Sequence, residues 1–138
     1  MIEINNLTNF TVDKKFFLGV AKKVLKGENR ERENISIAFV NSAEIKKLNK
    51  KYRKKNKPTD VLSFGEVLGF KSASPVGLWP RDLAEVVICP EIVKKNGEKL
   101  EKMLVHGILH ILGYDHEKSE KDAEIMQEKQ AKYLDNLK

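Results

Sequence analysis

A single cysteine stands in this chain of 138 residues, and its isolation excludes a disulfide-stapled scaffold. Cys89 has no second cysteine to bridge to, which fits a reducing compartment. No stretch approaches the roughly 20 apolar residues that cross a bilayer, so no membrane span is expected. The opening residues, Met1-Ile2-Glu3-Ile4-Asn5-Asn6, lack the basic and apolar regions of a signal peptide. A cytoplasmic location follows as the expectation. Linkers, internal repeats and low-complexity segments are also missing, so residues 1–138 read as one domain, long enough to bury its own core. The oligomeric state is left open, and a monomer suits this length.

Histidine is scarce as well, and here the scarcity is informative. All three histidines of the chain, His106, His110 and His116, fall within the run 106–116. The first two are four residues apart, so on a helix both imidazoles lie on one face and can aim at one point. Gly113 provides a stop, because glycine enters the left-handed cap conformation cheaply. The chain can then turn back and present His116 as a third ligand. Three neutral imidazoles leave one position of a tetrahedral zinc open to water, the arrangement of a catalytic site. The spacing is that of the metzincin pattern H-E-x-x-H-x-x-G-x-x-H, except that Gly107 stands where the protease has its glutamate base. The metal set is kept and the peptidase base is absent.

Acidic residues are missing from 46–57, where eight basic ones are concentrated: Lys46, Lys47, Lys50, Lys51, Arg53, Lys54, Lys55 and Lys57. The whole chain carries a formal charge of +6. Lysine-rich surfaces also mark ion-pair networks, but the interleaved Tyr52 and the planar guanidinium of Arg53 add stacking and phosphate-binding groups. Nucleic acid is the favoured partner.

Periodicity supplies the scaffold. Ile2 and Ile4 alternate in a first strand. Val12, Phe16, Val20 and Val24 mark an amphipathic helix to Lys26, stopped by Gly27. Ile35 to Val40 reads as a strand. Asn41 caps a helix carrying Ile45, Leu48 and Tyr52, closed by Pro58. Asp60 to Phe64 is a short strand, Gly65 to Pro80 a loop, and Leu83 to Cys89 a buried strand. A strongly apolar helix from Glu98 to Leu112 carries the first two histidines through the core. Ser119 and Asp122 open a last helix to Leu137 that buries Ala123, Met126, Ala131 and Leu134. The pattern predicts an α+β (α/β-like) domain: one mixed four-stranded sheet with four to five helices and a central metal-bearing helix. At least one pair of strands is joined through a helix, which permits parallel pairing.

Three segments together resemble the bacterial YbeY family of rRNA maturation factors, which are metal-dependent endoribonucleases. They are His106-Gly107-x-Leu109-His110-x-x-Gly113-Tyr114-Asp115-His116, then Leu48-Asn49-x-x-Tyr52-Arg53 running to Pro58-Thr59-Asp60-Val61-Leu62-Ser63-Phe64, and Val87-Ile88-Cys89-Pro90-Glu91. The resemblance implies zinc on His106, His110 and His116, a role for Arg53 in the cleft, and cytoplasmic work on precursor ribosomal RNA. That work includes maturation of the small-subunit 3′ end and ribosome quality control. Where the family has Gly-Asp before the third segment, this chain has Ala84-Glu85, keeping the acidic charge on a longer side chain.

The expected chemistry is zinc-dependent hydrolysis of single-stranded RNA. One zinc ion, with three histidines and a water, activates the nucleophile. Arg53 clamps the phosphate. Asp115 or Glu85 orients a ligand imidazole or accepts a proton, and Thr59, Asp60 and Ser63 line the cleft. Two alternatives stand beside this reading: a metallopeptidase-like hydrolase, and a non-catalytic RNA-binding assembly factor with a structural zinc. The native metal, the scissile bond and the attacking group, water or 2′-hydroxyl, are left open.

Overall fold

The computed structural model describes residues 2–65, 84–114 and 119–135. Along the chain these form β1 (Ile2–Asn6), α1 (Lys14–Gly27), β2 (Ile35–Phe39), α2 (Ser42–Arg53), β3 (Val61–Phe64), β4 (Ala84–Ile88), α3 (Pro90–Lys95), α4 (Leu100–Ile111) and α5 (Glu120–Leu134). The strands make one mixed sheet in the order β1-β2-β4-β3. β1 and β2 pair in parallel, as do β2 and β4, while β3 lies antiparallel on the edge of β4. The expected α+β domain is therefore observed, with five helices among the described residues. No helix among them is long and apolar enough to cross a membrane.

Strand alternation divides the interior into two layers. Ile35, Ile37 and Phe39 of β2 and Ala84, Val86 and Ile88 of β4 face α1, α4 and α5. Their alternates Ala38 and Val87, extended by Val40 and Cys89, face Ile45 and Leu48 of α2. β2 and β4 are buried on both faces, which explains why they read as continuous apolar runs.

Local chemistry sets the helix ends. The side chains of Asp13, Asn41 and Ser119 accept from the backbone N–H of Phe16, Glu44 and Asp122, capping α1, α2 and α5. α4 ends as its glycine predicted. Gly113 has φ 106°, its N–H donates to the His110 carbonyl, and Tyr114 N–H donates to the Leu109 carbonyl, both at 3.1 Å. This is the Schellman pairing.

Several sequence expectations shift by a residue or a face. The α1 stripe is Phe17, Val20, Ala21, Val24 and Leu25, whereas Val12 precedes the helix and Phe16 packs only at its margin. A strict spacing of four drifts by about 40° per step around a 3.6-residue helix, so it cannot hold one face. On α5 the buried residues are Met126 and Tyr133, while Ala131 is exposed and Ala123 and Leu134 are half-buried. Tyr52 is 44% exposed, its ring edge-on to Phe64 at 5.1 Å between centroids. The periodicity did not point to α3, a single short run opened by Pro90 at its first turn. The expected loop from Gly65 lies, from residue 66 on, outside the described residues.

Candidate functional site

α4 is buried at Met103, Leu104, Val105, Gly107, Ile108, Leu109 and Ile111, so nearly its whole circumference is core. His106 and His110 form its half-exposed stripe, with ring centroids 5.9 Å apart and planes at 67°. The helix lies hard against the sheet at Gly107. A Cβ there would meet Val86 Cγ1 at 2.5 Å and Ser63 Oγ at 3.4 Å. Position 107 therefore points into the sheet, and no glutamate side chain fits there to act on a metal-bound water.

Both histidines open into a cleft of about 470 Å³ along β3, the outermost strand among the described residues, shared with Asn49, Arg53, Lys55, Lys57, Thr59, Asp60 and Ser63. The sheet edge joins two halves of opposite origin. α4 brings the imidazoles from one face, and the end of α2 brings Arg53 from the other. Ser63 ties them together: its hydroxyl donates to the Gly107 carbonyl at 3.2 Å, and its carbonyl accepts from the Arg53 guanidinium at 3.0 Å. One nitrogen of Arg53 is thereby anchored, and the guanidinium has further donors for an oxyanion.

The turn after α2 is held by Asn49, which is buried. Its side-chain amide donates to the Lys57 carbonyl at 2.9 Å, and its own carbonyl accepts from Lys55 N–H at 3.2 Å. Lys54 takes the left-handed conformation, φ 62°, to make this turn. Of the eight basic residues in the run, the turn presents Arg53, Lys55 and Lys57 to the cleft, while Lys46, Lys47, Lys50, Lys51 and Lys54 are exposed elsewhere. Asp60 is the carboxylate among the described lining residues; its Oδ1 accepts from Val61 N–H at 2.8 Å and Thr59 Oγ1 at 3.3 Å. Among the described residues the cleft is cationic and polar and runs along one strand edge.

The profile of the family described as Endoribonuclease YbeY matches residues 3–138. The chain belongs to the YbeY family. It is 39% identical to the Endoribonuclease YbeY of a Sulfurihydrogenibium strain over 136 aligned residues, covering 91% of this chain and 84% of that one. It is 37% identical to that of Persephonella marina, covering 93% and 86%. A solution structure from Thermotoga maritima, TM1509, superposes with a TM-score of 0.63 at 31% identity, covering 99% of this chain and 89% of that chain. The family is named for an RNA hydrolase and not for a peptidase, in keeping with a position 107 that has no room for a glutamate.

Within this YbeY fold the remaining candidates separate. Arg53, His106, His110, Thr59, Asp60 and Ser63 share the cleft. Asp115 and His116 lie outside the described residues, and among the described ones no three metal-binding side chains converge. Glu85 is not brought to the histidines. It is fully buried, paired across β2–β4 with Ser36, whose hydroxyl donates to its carboxylate at 3.0 Å. Alternation places it with Val87 on the α2 side of the sheet, the side opposite α4. An acidic residue in a strand announces that it needs partners, but only packing decides which face it takes.

The structure adds two groups that the sequence did not single out. Gln130 Oε1 lies 2.6 Å from His106 Nδ1. Glu28, at the end of α1, gathers Tyr114 at 2.5 Å, Lys129 at 3.1 Å and Tyr133 around a carboxylate that is 8% exposed. Burial alone would raise the Glu28 pKa; the hydrogen bonds from Tyr114, Tyr133 and Lys129 together outweigh it and hold the carboxyl below its usual value. Burial and the neighbouring Glu28 charge push both tyrosine hydroxyls up, and the hydrogen bond to Glu28 raises Lys129. Gln130 had a faint sequence signal, since it interrupts the apolar stripe Met126–Gln130–Tyr133 at helical spacing. Glu28 had none.

Proposed function

We propose that this chain cleaves phosphodiester bonds of single-stranded RNA in the β3-edge cleft, using one zinc ion held by His106, His110 and His116. The observation that carries this reading is the meeting of Arg53 and the histidine pair in one cationic cleft, although they come from opposite faces of the sheet. The donor set suits the ion. Two imidazoles on one tetrahedral zinc at ~2.0–2.1 Å have ring centroids about 5.2 Å apart, and the observed 5.9 Å closes to that with a ring movement of under about 1 Å. His116 follows three residues after the Gly113 stop that turns the chain, and it is assigned as the third ligand. When bound, zinc supplies a water of lowered pKa, toward about 7, and Lewis-acid polarisation of the phosphoryl oxygen.

The other roles belong to the chain. Arg53, anchored on Ser63, presents its guanidinium to the non-bridging oxygens and stabilises the charge that grows there in the transition state. Lys55 and Lys57 hold phosphates on either side of the scissile bond. Asp60 is assigned as the proton acceptor, because among the described residues it is the carboxylate that shares the cleft with both histidines. Asp115, beside His116, is assigned to orient that ligand. Glu85, on the side of the sheet away from the histidines and not among the described residues that line the cleft, is assigned no role. A strand-edge groove that tracks one backbone suits a single strand better than a duplex. The natural substrate is assigned as precursor ribosomal RNA in the cytoplasm, including the small-subunit 3′ end, on the strength of the family motifs.

The test is cleavage of end-labelled single-stranded and duplex RNA by zinc-loaded protein beside His110→Ala and Arg53→Glu. The expected result is cleavage of the single strand, lost in His110→Ala. Arg53→Glu should lose both activity and part of the salt dependence of binding. Cleavage that survives His110→Ala overturns the metal-dependent reading, and RNA binding without cleavage by the zinc-loaded wild type leaves an assembly factor.

A further inference from the structure

We infer that Gln130 is a positioning residue for the metal centre: its side-chain oxygen fixes the tautomer and orientation of His106 so that Nε2 is the nitrogen offered to the ion. The inference rests on the metal reading above and extends it to α5, a helix that does not line the cleft among the described residues.

The geometry is direct. Gln130 Oε1 stands 2.6 Å from His106 Nδ1 across the α4–α5 contact. A carbonyl oxygen can only accept, so Nδ1 carries the proton, and in a neutral imidazole Nε2 then carries the lone pair. A metal needs that lone pair. With the proton on Nε2, His106 would turn an N–H toward the cleft and could not ligate. Bonding through the second nitrogen also restrains ring rotation and raises ligand basicity.

The placement of Gln130 is built into the fold. Met126, Gln130 and Tyr133 share one face of α5, and the flanking Met126 and Tyr133 are 1% and 2% exposed. A polar group on such a stripe costs stability unless it is hydrogen-bonded. α5 is held beside α4 by the Glu28 carboxylate, which takes Tyr133 and Lys129 from α5 and Tyr114 from the end of α4. The Gln130 oxygen is therefore delivered to His106 by packing that exists without the metal.

The decisive measurement reads the apoprotein first. Long-range ¹H–¹⁵N correlation spectra of metal-free protein, with the imidazoles neutral, report which ring nitrogen of His106 is protonated. Wild type is expected to show the Nδ1–H tautomer, and Gln130→Leu to move it toward Nε2–H. Zinc titration against a chelating dye should then show affinity reduced about 10–100-fold in Gln130→Leu and restored in Gln130→Glu, whose carboxylate also accepts from Nδ1–H. An Nε2–H tautomer in wild type overturns the inference, as does a Gln130→Leu protein with wild-type tautomer and zinc affinity. His110→Ala separates the two levels. If His110→Ala weakens zinc binding while Gln130→Leu does not, only the role of Gln130 fails; if His110→Ala binds zinc like wild type, the metal reading itself fails.

Discussion

Replacing Gly107 by alanine tests the close approach that shapes the site. In an exposed helix this change stabilises by about 1 kcal/mol, because glycine has more backbone entropy to lose. Here the new Cβ would stand 2.5 Å from Val86 Cγ1, against about 3.5–4.0 Å for carbon atoms in contact. Something must move by about 1 Å. Val86 is fully buried, β-branched and therefore stiff at χ1, on a strand paired on both sides. Overpacking of this kind costs about 1–3 kcal/mol, and at such a distance the upper part of that range applies. After the helix-propensity gain, the expected net loss is about 1–2 kcal/mol. With an unfolding entropy near 2.1 cal/mol/K per residue, about 0.29 kcal/mol/K for 138 residues, Tm should fall by about 3–7 °C. Urea melts followed by circular dichroism give the free-energy change, and Val86→Ala supplies the control. With the Val86 methyls removed, Gly107→Ala should become neutral or stabilising, a coupling of about 1–3 kcal/mol between the sites. Neutral or positive stability for Gly107→Ala in the wild-type background would refute the close approach. So would additivity with Val86→Ala. Displacing α4 also moves both histidines relative to Arg53, for which a loss of roughly 100-fold in activity is expected.

Four further variants test the local geometry. Glu28→Gln keeps the shape but removes the charge that three donors share, and should cost about 1.5–3 kcal/mol at pH 7. Because the folded-state pKa is depressed, that stabilisation is present above the ordinary carboxyl value of 4.5 and lost as pH falls through the folded value. The gap between wild type and variant in chemical melts should therefore narrow below about pH 4.5. Lys54→Gly, at φ 62°, should raise stability by about 1 kcal/mol, since a left-handed residue with a Cβ is strained there; Gly113→Ala, at φ 106°, should lower it by a similar amount. Asn49→Ala frees the turn that carries Lys55 and Lys57, and should weaken RNA binding and reduce its salt slope while His110-dependent zinc affinity stays unchanged.

Local rules made much of this protein readable. The histidine pair was visible because a helix repeats every 3.6 residues, and the caps at Asn41, Ser119 and Gly113 because each acts within a few residues of itself. α3 had weaker signals, Pro90 in its first turn and Lys94 and Lys95 in its last, and was missed. Gln130 and Glu28 were not legible for a different reason. Their partners lie 24 and 86–105 residues away, and no local pattern encodes which helix face will meet which.

The sequence by itself therefore determined the chemistry on offer: three histidines at ligand spacing, a missing glutamate at position 107 and a basic run with an arginine. Tertiary structure decided how they combine. It set Arg53 and the histidines around one strand edge though they come from opposite layers, turned Glu85 away from the histidines, and explained Gly107 as a packing need. Residue type fixes what a side chain can donate, accept or ligate. Only the packing of distant segments fixes what stands within reach of it.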